Sequence, residues 1–480
     1  MRKAQDRVVR ELGHIVGPAQ VLHSPADLLV YEADALVHYT EKPRAVVLPG
    51  STDEVVEVVR WCAAHDVPFV PRGAGTGLSG GALPCDAGIV LEMARMNRVL
   101  EVSRADRWAH VEVGLVNQEL SQAVEETGLF YAPDPSSQSA CTIGGNVAEN
   151  SGGPHCMKYG MTTQHVLGLT VVLPDGTRIQ LGGPLGAGPD LDLLGTFVGS
   201  EGTFGVATEA WVRLTRRPAT VRLLFFAFSE LESACHAVCE MIAEGVQAAA
   251  LEMIDQRTIE VIEDSVYACG LPTDAAAVLL VELDGLTEQV DEETRQVERL
   301  STRHGAFQSR RAESAEERMQ MWTGRKVAFG ALGRLKPNLY VQDTVVPRSM
   351  LASVLRRIIE IAEEHGVLLT NVFHAGDGNL HPNISYDGRD EHETAQVMKA
   401  GEAIIQTCLD AGGALSGEHG IGREKRDFMR RLFSGDDLAL FSKLRECFNP
   451  RGLCNPDKVL PGTKVCAEFR ERALTAEQSR

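Results

Sequence analysis

The chain has 480 residues and a mass of 52.0 kDa, with 44% hydrophobic and 24% charged residues, the composition of a soluble globular protein of two or more domains. A formal net charge of -19 and a pI near 5.2 argue against nucleic acid as a partner and offer no basic patch to an anionic membrane. A small anionic substrate is still allowed, because a few local arginines outweigh a screened, distant surface charge. Eleven cysteines, at 62, 85, 141, 156, 235, 239, 269, 408, 447, 454 and 466, include no Cys-x-x-Cys pair. Iron–sulfur and zinc-finger spacings are therefore excluded, and free thiols in a reducing, cytoplasmic setting are expected. No segment approaches the length of a membrane span, and the N-terminus lacks a hydrophobic signal core. Any membrane association is expected to come through a partner.

In chain order, residues 1–40 read as a helical lead-in. Arg44-Pro49 reads as a strand, Ser51-His65 as an amphipathic helix capped by Ser51-Thr52-Asp53, and Pro68-Pro71 as a strand. Gly75 to Gly80 then match G-x-G-x-x-G, but that fingerprint needs a helix opening on its last glycine. Here Ala82-Leu-Pro-Cys-Asp-Ala-Gly leads into another strand, Ile89-Met93. The expectation is a glycine loop whose N–H groups wrap a pyrophosphate as a nest.

Trp108-Val113 reads as a strand and Val116-Glu126 as a helix. The irregular run 131–154 is rich in glycine and short hydroxyl and amide side chains, suited to a flat polar ring and phosphates. Val166-Leu173 and Thr177-Leu181 form a hairpin, and a small-residue loop at 193–206 precedes the strand Ala207-Leu214. After Thr215-Arg-Arg-Pro218 the pattern changes. Strands at 221–228, 249–254, 277–282, 340–345 and 368–386 alternate with long helices up to residue 411, an α+β module on one antiparallel sheet.

That module contains His374-Ala-Gly-Asp-Gly-Asn-Leu-His381. Asp377-Gly378 is a favoured two-residue hairpin turn, which would pair His374 with His381 across Leu368-Phe373 and Leu380-Tyr386. Directly opposed residues share a sheet face with Cβ atoms about 5 Å apart, so both imidazoles would point into one space, with Asn383 facing the same way. Two neutral imidazoles suit a divalent metal that wants a third, carboxylate ligand. Glu418, in Ser416-Gly-Glu-His-Gly-Ile-Gly422, is the candidate. Two half-buried strand histidines beside a tight turn are the plain alternative.

Pro71-Arg-Gly-Ala-Gly-Thr-Gly-Leu-Ser-Gly-Gly81, Thr142-Ile-Gly-Gly-Asn146, Val198-Gly-Ser-Glu-Gly-Thr-Phe-Gly-Val206, the His374–His381 stretch, Gly417-Glu-His-Gly-Ile-Gly422 and Asn455-Pro-Asp-Lys458 occur in one order. Together they resemble FAD-linked 2-hydroxy-acid dehydrogenases of the vanillyl-alcohol-oxidase/p-cresol-methylhydroxylase superfamily. The likeness is nearest to the glycolate oxidase D-subunit group, then to FAD-dependent D-lactate dehydrogenases, and it runs from about residue 40 to the end.

The resemblance implies a lead-in (1–40), a two-subdomain PCMH-type FAD-binding domain (41–218), a ferredoxin-like antiparallel-sheet cap (219–413) and a C-terminal segment closing the site (414–480). It implies FAD contacts at Pro71, Arg72, Gly73, Ala74, Gly75, Thr76, Gly77 and Leu78. Further contacts would be Pro133, Asp134, Ser139, Thr142, Gly144, Gly145, Ser151, Glu201, Gly202, Val206 and Asn455. Residues 72–81 hold no histidine, so the FAD is expected to be non-covalent. His374, His381 and Glu418 match the metal ligands, for zinc, iron or manganese, and His419 matches the base.

Arg325, in Trp322-Thr-Gly-Arg-Lys326, matches the arginine that holds the substrate carboxylate; without the resemblance it reads as a helix-surface arginine near Glu316 or Glu317. Tyr340 and Asn383 are candidates for the substrate wall. No lysine stands near Val341 for a second carboxylate, which points to a small monocarboxylate, glycolate or D-lactate. With no iron–sulfur cysteines, electrons would leave through a partner, and the resemblance suggests iron–sulfur and flavin subunits of a glycolate oxidase complex. The rival of another class is a non-catalytic FAD-binding scaffold subunit, which would be expected to have lost ligands or base.

Overall fold

The computed structural model describes residues 2–85, 87–186, 188 and 191–462, with the backbone alone for 2–6. The chain divides into two compact units. The first gathers the described residues of Met1–Ser151, Met161–Arg216 and Glu418–Arg480; the second is Gly152–Gly160 with Arg217–Gly417. Residues 152–160, expected within the FAD-binding stretch, thus cluster with the cap.

In the first unit, a four-stranded sheet runs in the order Val21–Leu22, Ala45–Val47, Ile89–Glu92, Phe69–Arg72, the last three parallel. Its parallel strands are apolar except for Arg72 and Glu92 at their ends, because both faces are buried. The helix Thr52–His65 covers it, opened by the Ser51 hydroxyl, which accepts the Glu54 N–H, and Val55, Val59 and Cys62 enter the core. Strand Phe69–Arg72 passes through the glycine loop directly into its parallel neighbour with no helix between, so the rejected dinucleotide fingerprint has no place here.

A second, antiparallel sheet of five strands runs Val99–Ser103, Trp108–Glu112, Val206–Arg213, Val166–Val172, Arg178–Gly182. The run 131–154, read as irregular, contains a short helix, Ile143–Glu149, with Thr142 as its cap. Two glycines in its first turn hid it, since glycine is a poor helix former. Gly144 is there for packing, since a Cβ on it would lie 2.8 Å from the Val113 side chain.

The second unit is built on a sheet of nine strands, every pairing antiparallel. Ala277–Gly285 lies centrally between Thr220–Phe228 and Ala250–Asp255, and Leu368–His374 follows. The helices Gln256–Glu263 (unforeseen) and Ala315–Leu332 pack on the face carrying Ala250, Ile254, Leu280 and Val372. The strand expected over 340–345 breaks into Asn338–Val341 and Thr344–Val345, with buried Gln342 and Asp343 between them.

The segment Gly152–Gly160 is clasped to the end of strand Ala277–Gly285. His155 Nε2 meets Glu282 Oε1 at 3.0 Å, and Lys158 Nζ and Tyr159 OH both donate to Asp284 at 2.5 Å. The ten described cysteines are all free thiols; Cys466 lies outside the described residues. Among the described residues no helix is long and apolar enough to cross a membrane.

Candidate active site

The hairpin does not turn on two residues. His374 pairs with Asn379, enclosing the four-residue turn Ala375–Gly378, and the ladder continues with Thr370 opposite Asn383. The expected pairing of His374 with His381 is therefore corrected by a register shift of two. The turn is held open by its neighbours: Asp377 Oδ1 accepts the Asn379 N–H at 3.0 Å, and Val346 N–H donates to the Gly378 carbonyl at 3.1 Å. Gly378 sits at φ 82°, where an L residue would be strained. A shift of two keeps every side chain on its face, whereas a shift of one would have turned it over. The two imidazoles still meet, edge to face, with ring centroids 5.2 Å apart.

His374 is oriented by a buried acid that motif reasoning missed, and His381 by a backbone carbonyl beside another. Glu252 is the ladder partner of His374, so the two share a face, and its Oε1 lies 2.6 Å from His374 Nδ1. Its other oxygen accepts from Arg325 Nε at 2.6 Å. Arg325 lies on helix Ala315–Leu332 and is 2% exposed, so the helix-surface reading is overturned. Burial alone would raise the Glu252 carboxyl, but the facing His374 and Arg325, each hydrogen-bonded to it, outweigh burial and hold it below its ordinary value. One turn before Arg325, Trp322 donates Nε1–H to Glu282 at 2.6 Å, fixing that helix on the sheet.

His381 Nδ1 lies 3.3 Å from the Gln342 carbonyl and 3.9 Å from the Asp343 carboxylate. Asp343, fully buried, also accepts from Ser416 Oγ at 2.5 Å and from the Gly417 N–H at 2.9 Å. A Cβ on Gly417 would come within 2.5 Å of the Asn379 side chain, so this backbone lies against the hairpin. Glu418 and His419 follow directly. The stretch is irregular, with Gly420 at φ 88° and Gly422 at φ 52°, so the strand alternation that would oppose Glu418 and His419 does not apply. The signal for Glu252 was present but faint, a lone acid in the apolar run 249–254, and Asp343, between Gln342 and Thr344, gave none.

Asn383 is buried and its Nδ2 donates to the His381 carbonyl at 2.7 Å. Its ladder partner is Val341, not Tyr340. Tyr340 takes the other face, where a Cβ on Gly401 would lie 2.7 Å from its ring. Val341, not Tyr340, is therefore the residue beside Asn383, and Tyr340 faces away from it.

Every residue expected at the cofactor falls in the first unit. Pro71 and Arg72 end a strand, and Gly73 to Leu78 form the loop beyond it. Arg72 does not reach outward: its guanidinium is buried under Gly75, bonding the Ala33 carbonyl at 2.9 Å and facing Glu92 at 3.7 Å. Gly75, at φ 68°, must lack a Cβ because one would overlap that guanidinium.

Thr142, Gly144 and Gly145 open the short helix, and Gly73 packs on the Thr142 hydroxyl. Asn117 ties the Pro133 carbonyl, beside Asp134, to Asn146. Ser139 and Ser151 lie in the irregular stretches flanking that helix. Glu201, at φ 51°, accepts the N–H groups of Ile421 and Gly422, while Asn455 Nδ2 donates to the carbonyls of Glu201 and Gly81. Gly202 lies beside Pro71 and Asn455, and Val206 begins the next strand. Burial pushes Glu201 up to about 7, and burial together with the Glu201 charge pushes its neighbour Glu149 well above the ordinary carboxylate range.

This architecture is that of a known flavoprotein class. The chain superposes on p-cresol methylhydroxylase with substrate bound at a TM-score of 0.81 (16% identity, 96% of this chain, 97% of that chain). It superposes on 4-ethylphenol oxidase from Gulosibacter chungangensis at 0.77 (16% identity, 95% and 97%). Residues 43–182 match the FAD binding domain family, and residues 217–459 match the C-terminal domain of FAD linked oxidases.

The chain belongs to the FAD-linked oxidase family. Glycolate oxidase subunit GlcD of Escherichia coli (strain K12) is 43% identical over 95% of this chain and 91% of the relative. GlcD of Bacillus subtilis (strain 168) is 40% identical over 94% and 96%. D-lactate dehydrogenase of Anaerostipes hadrus is 30% identical over 87% and 90%.

Proposed function

We propose that the chain oxidises a small 2-hydroxy monocarboxylate, glycolate first and D-lactate second, to the 2-oxo acid. The observation that carries this is the buried line Arg325–Glu252–His374–His381. Arg325 Nη2 within it is buried and has no hydrogen-bond partner among the described residues. A guanidinium N–H without an acceptor in the interior is costly, and a carboxylate is the anion its fork fits.

Arg325 binds the substrate carboxylate and thereby orients the hydroxyl-bearing carbon, with Asn383 and Val341 walling the site. His419 takes the hydroxyl proton, a role in which histidine is worth about 10²–10⁴-fold. FAD, when bound, supplies the acceptor of the α-hydrogen and its electron pair. The FAD is held non-covalently by Pro71, Arg72, Gly73, Ala74, Gly75, Thr76, Gly77 and Leu78, and by Pro133, Asp134, Ser139, Thr142, Gly144, Gly145, Ser151, Glu201, Gly202, Val206 and Asn455. Within that set Arg72 braces the loop from beneath.

The donor set fits a divalent cation: two buried imidazoles whose Nδ1 atoms face Glu252 and the Gln342 carbonyl, with Glu418 following a glycine packed on the same hairpin. Held by His374, His381 and Glu418, such a cation (zinc, iron or manganese) would supply the Lewis acidity that lowers the hydroxyl pKa. The relatives named as subunits support a place in a multi-subunit oxidase, whose flavin and iron–sulfur partners would take the electrons and provide any membrane attachment to a cytoplasmic protein.

The test is dye reduction with glycolate, D- and L-lactate and D-2-hydroxyglutarate, before and after chelation. Turnover of glycolate and D-lactate, slowed by chelation, is expected. A yellow, flavin-loaded protein inert to all four would instead favour the scaffold reading.

A further inference from the structure

Glu252 links two side chains of the site in the second unit. It is fully buried, and its two oxygens are divided between His374 Nδ1 and Arg325 Nε, each at 2.6 Å. A carboxylate facing an imidazole Nδ1 requires the proton on that nitrogen, so the ring is fixed in the tautomer that turns Nε2 toward a metal. A guanidinium gripped through Nε is likewise fixed about its long axis. Its Nη2, buried and without a partner among the described residues, is left for an incoming anion.

We propose that Glu252 is a positioning residue that couples the carboxylate-binding arginine to the first metal-binding histidine. The inference rests on the function proposed above. One carboxylate serves two donors, so what happens to one is felt by the other. When a substrate carboxylate engages Arg325, the arginine draws less on Glu252. Glu252 then accepts more strongly from His374, and the imidazole becomes a better ligand. By linkage, a bound metal must tighten carboxylate binding by the same factor. An ion pair that served only stability would alter melting and leave metal affinity alone.

The full-length, FAD-loaded protein, stripped by chelation, is titrated with Mn²⁺ while the signal of the free ion is followed, with and without saturating acetate. Acetate has no hydroxyl, and the Arg325→Met variant separates its contact with the arginine from direct ligation of Mn²⁺. In the wild type acetate is expected to tighten Mn²⁺ binding about 5-fold or more. Arg325→Met should abolish the acetate effect and, by freeing Glu252 outright, should bind Mn²⁺ at least as tightly as the acetate-saturated wild type.

The double variant Arg325→Met/Glu252→Gln removes both buried charges together, so neither is stranded. It should bind Mn²⁺ about 10–100-fold more weakly than Arg325→Met. Equal Mn²⁺ affinity in the double and single variants overturns the inference. So does a wild type whose Mn²⁺ affinity ignores acetate, a result that needs no variant to fold. A wild type that binds no Mn²⁺ overturns the metal reading itself, and this inference with it.

Discussion

Two buried Arg–Glu pairs, one in each unit, behave in opposite ways. In the first unit Arg72 and Glu92 are ladder partners on adjacent parallel strands, 3.7 Å apart, yet the Glu92 carboxyl is pushed up to about 7. In the second unit Arg325 and Glu252 come from a helix and a strand, and Glu252 is held low. Both acids are buried; the difference lies in what else each guanidinium must satisfy. Arg72 spends its N–H groups on the carbonyls of Ala33 and Ala82 and its face on the Tyr31 ring, 5.5 Å away, so burial wins at Glu92. Arg325 turns Nε squarely on Glu252, and His374 adds a second donor, so the charge wins. An arginine beside an acid is an ion pair only when its donors are not committed elsewhere.

The largest expected break in this comparison is Arg325→Ala. It strands Glu252, should cost the protein about 3–5 kcal/mol by thermal or denaturant unfolding, and should abolish 2-hydroxy-acid turnover while the flavin band persists. Unchanged kinetics would remove the substrate role. Next is Gly75→Ala, whose Cβ would collide with the Arg72 guanidinium at a positive φ; FAD affinity should fall about 10-fold or more in a reconstitution titration.

Glu92→Gln sharpens the contrast through pH. The folded carboxyl titrates near 7, above its ordinary value near 4.5, so its contribution is complete below about 4.5 and is lost as pH rises through 7. The amide variant should therefore melt about 2 °C above the wild type at pH 8 and no higher than it at pH 4. The smallest effect is Ser51→Ala, loss of one helix cap that touches neither pair's hydrogen bonds, at about 1 kcal/mol with FAD binding unchanged.

What could be read from the residues alone follows the range of the signal. The paired imidazoles were legible although the turn was misjudged, because side-chain parity survives a two-residue shift in register. The alternation of Tyr340 and Val341 was equally local, but which one faces Asn383 depends on a ladder set by distant chain. Glu252 sits in Ala250–Asp255, a strand otherwise read as core; only the fold brings it opposite His374 and under Arg325. The helix at Ile143–Glu149 escaped notice because Gly144 answers a tertiary contact with Val113 rather than a local preference. Strand Ala306–Arg311, polar and largely exposed, carries no alternating pattern and is defined by pairing with Thr220–Phe228.

The clasp on Gly152–Gly160 bears on how this protein can be taken apart. A recombinant fragment spanning 217–417 would look self-sufficient on paper, yet it would expose the strand end at Glu282 and Asp284 without the histidine, lysine and tyrosine that answer them. Asp284 would then lose the lysine and tyrosine that neutralise and orient it, and Glu282 would keep only Trp322, so the strand end would be looser than in the whole protein. A workable excision must carry the nonapeptide along, either grafted by a linker or supplied as a separate peptide in trans.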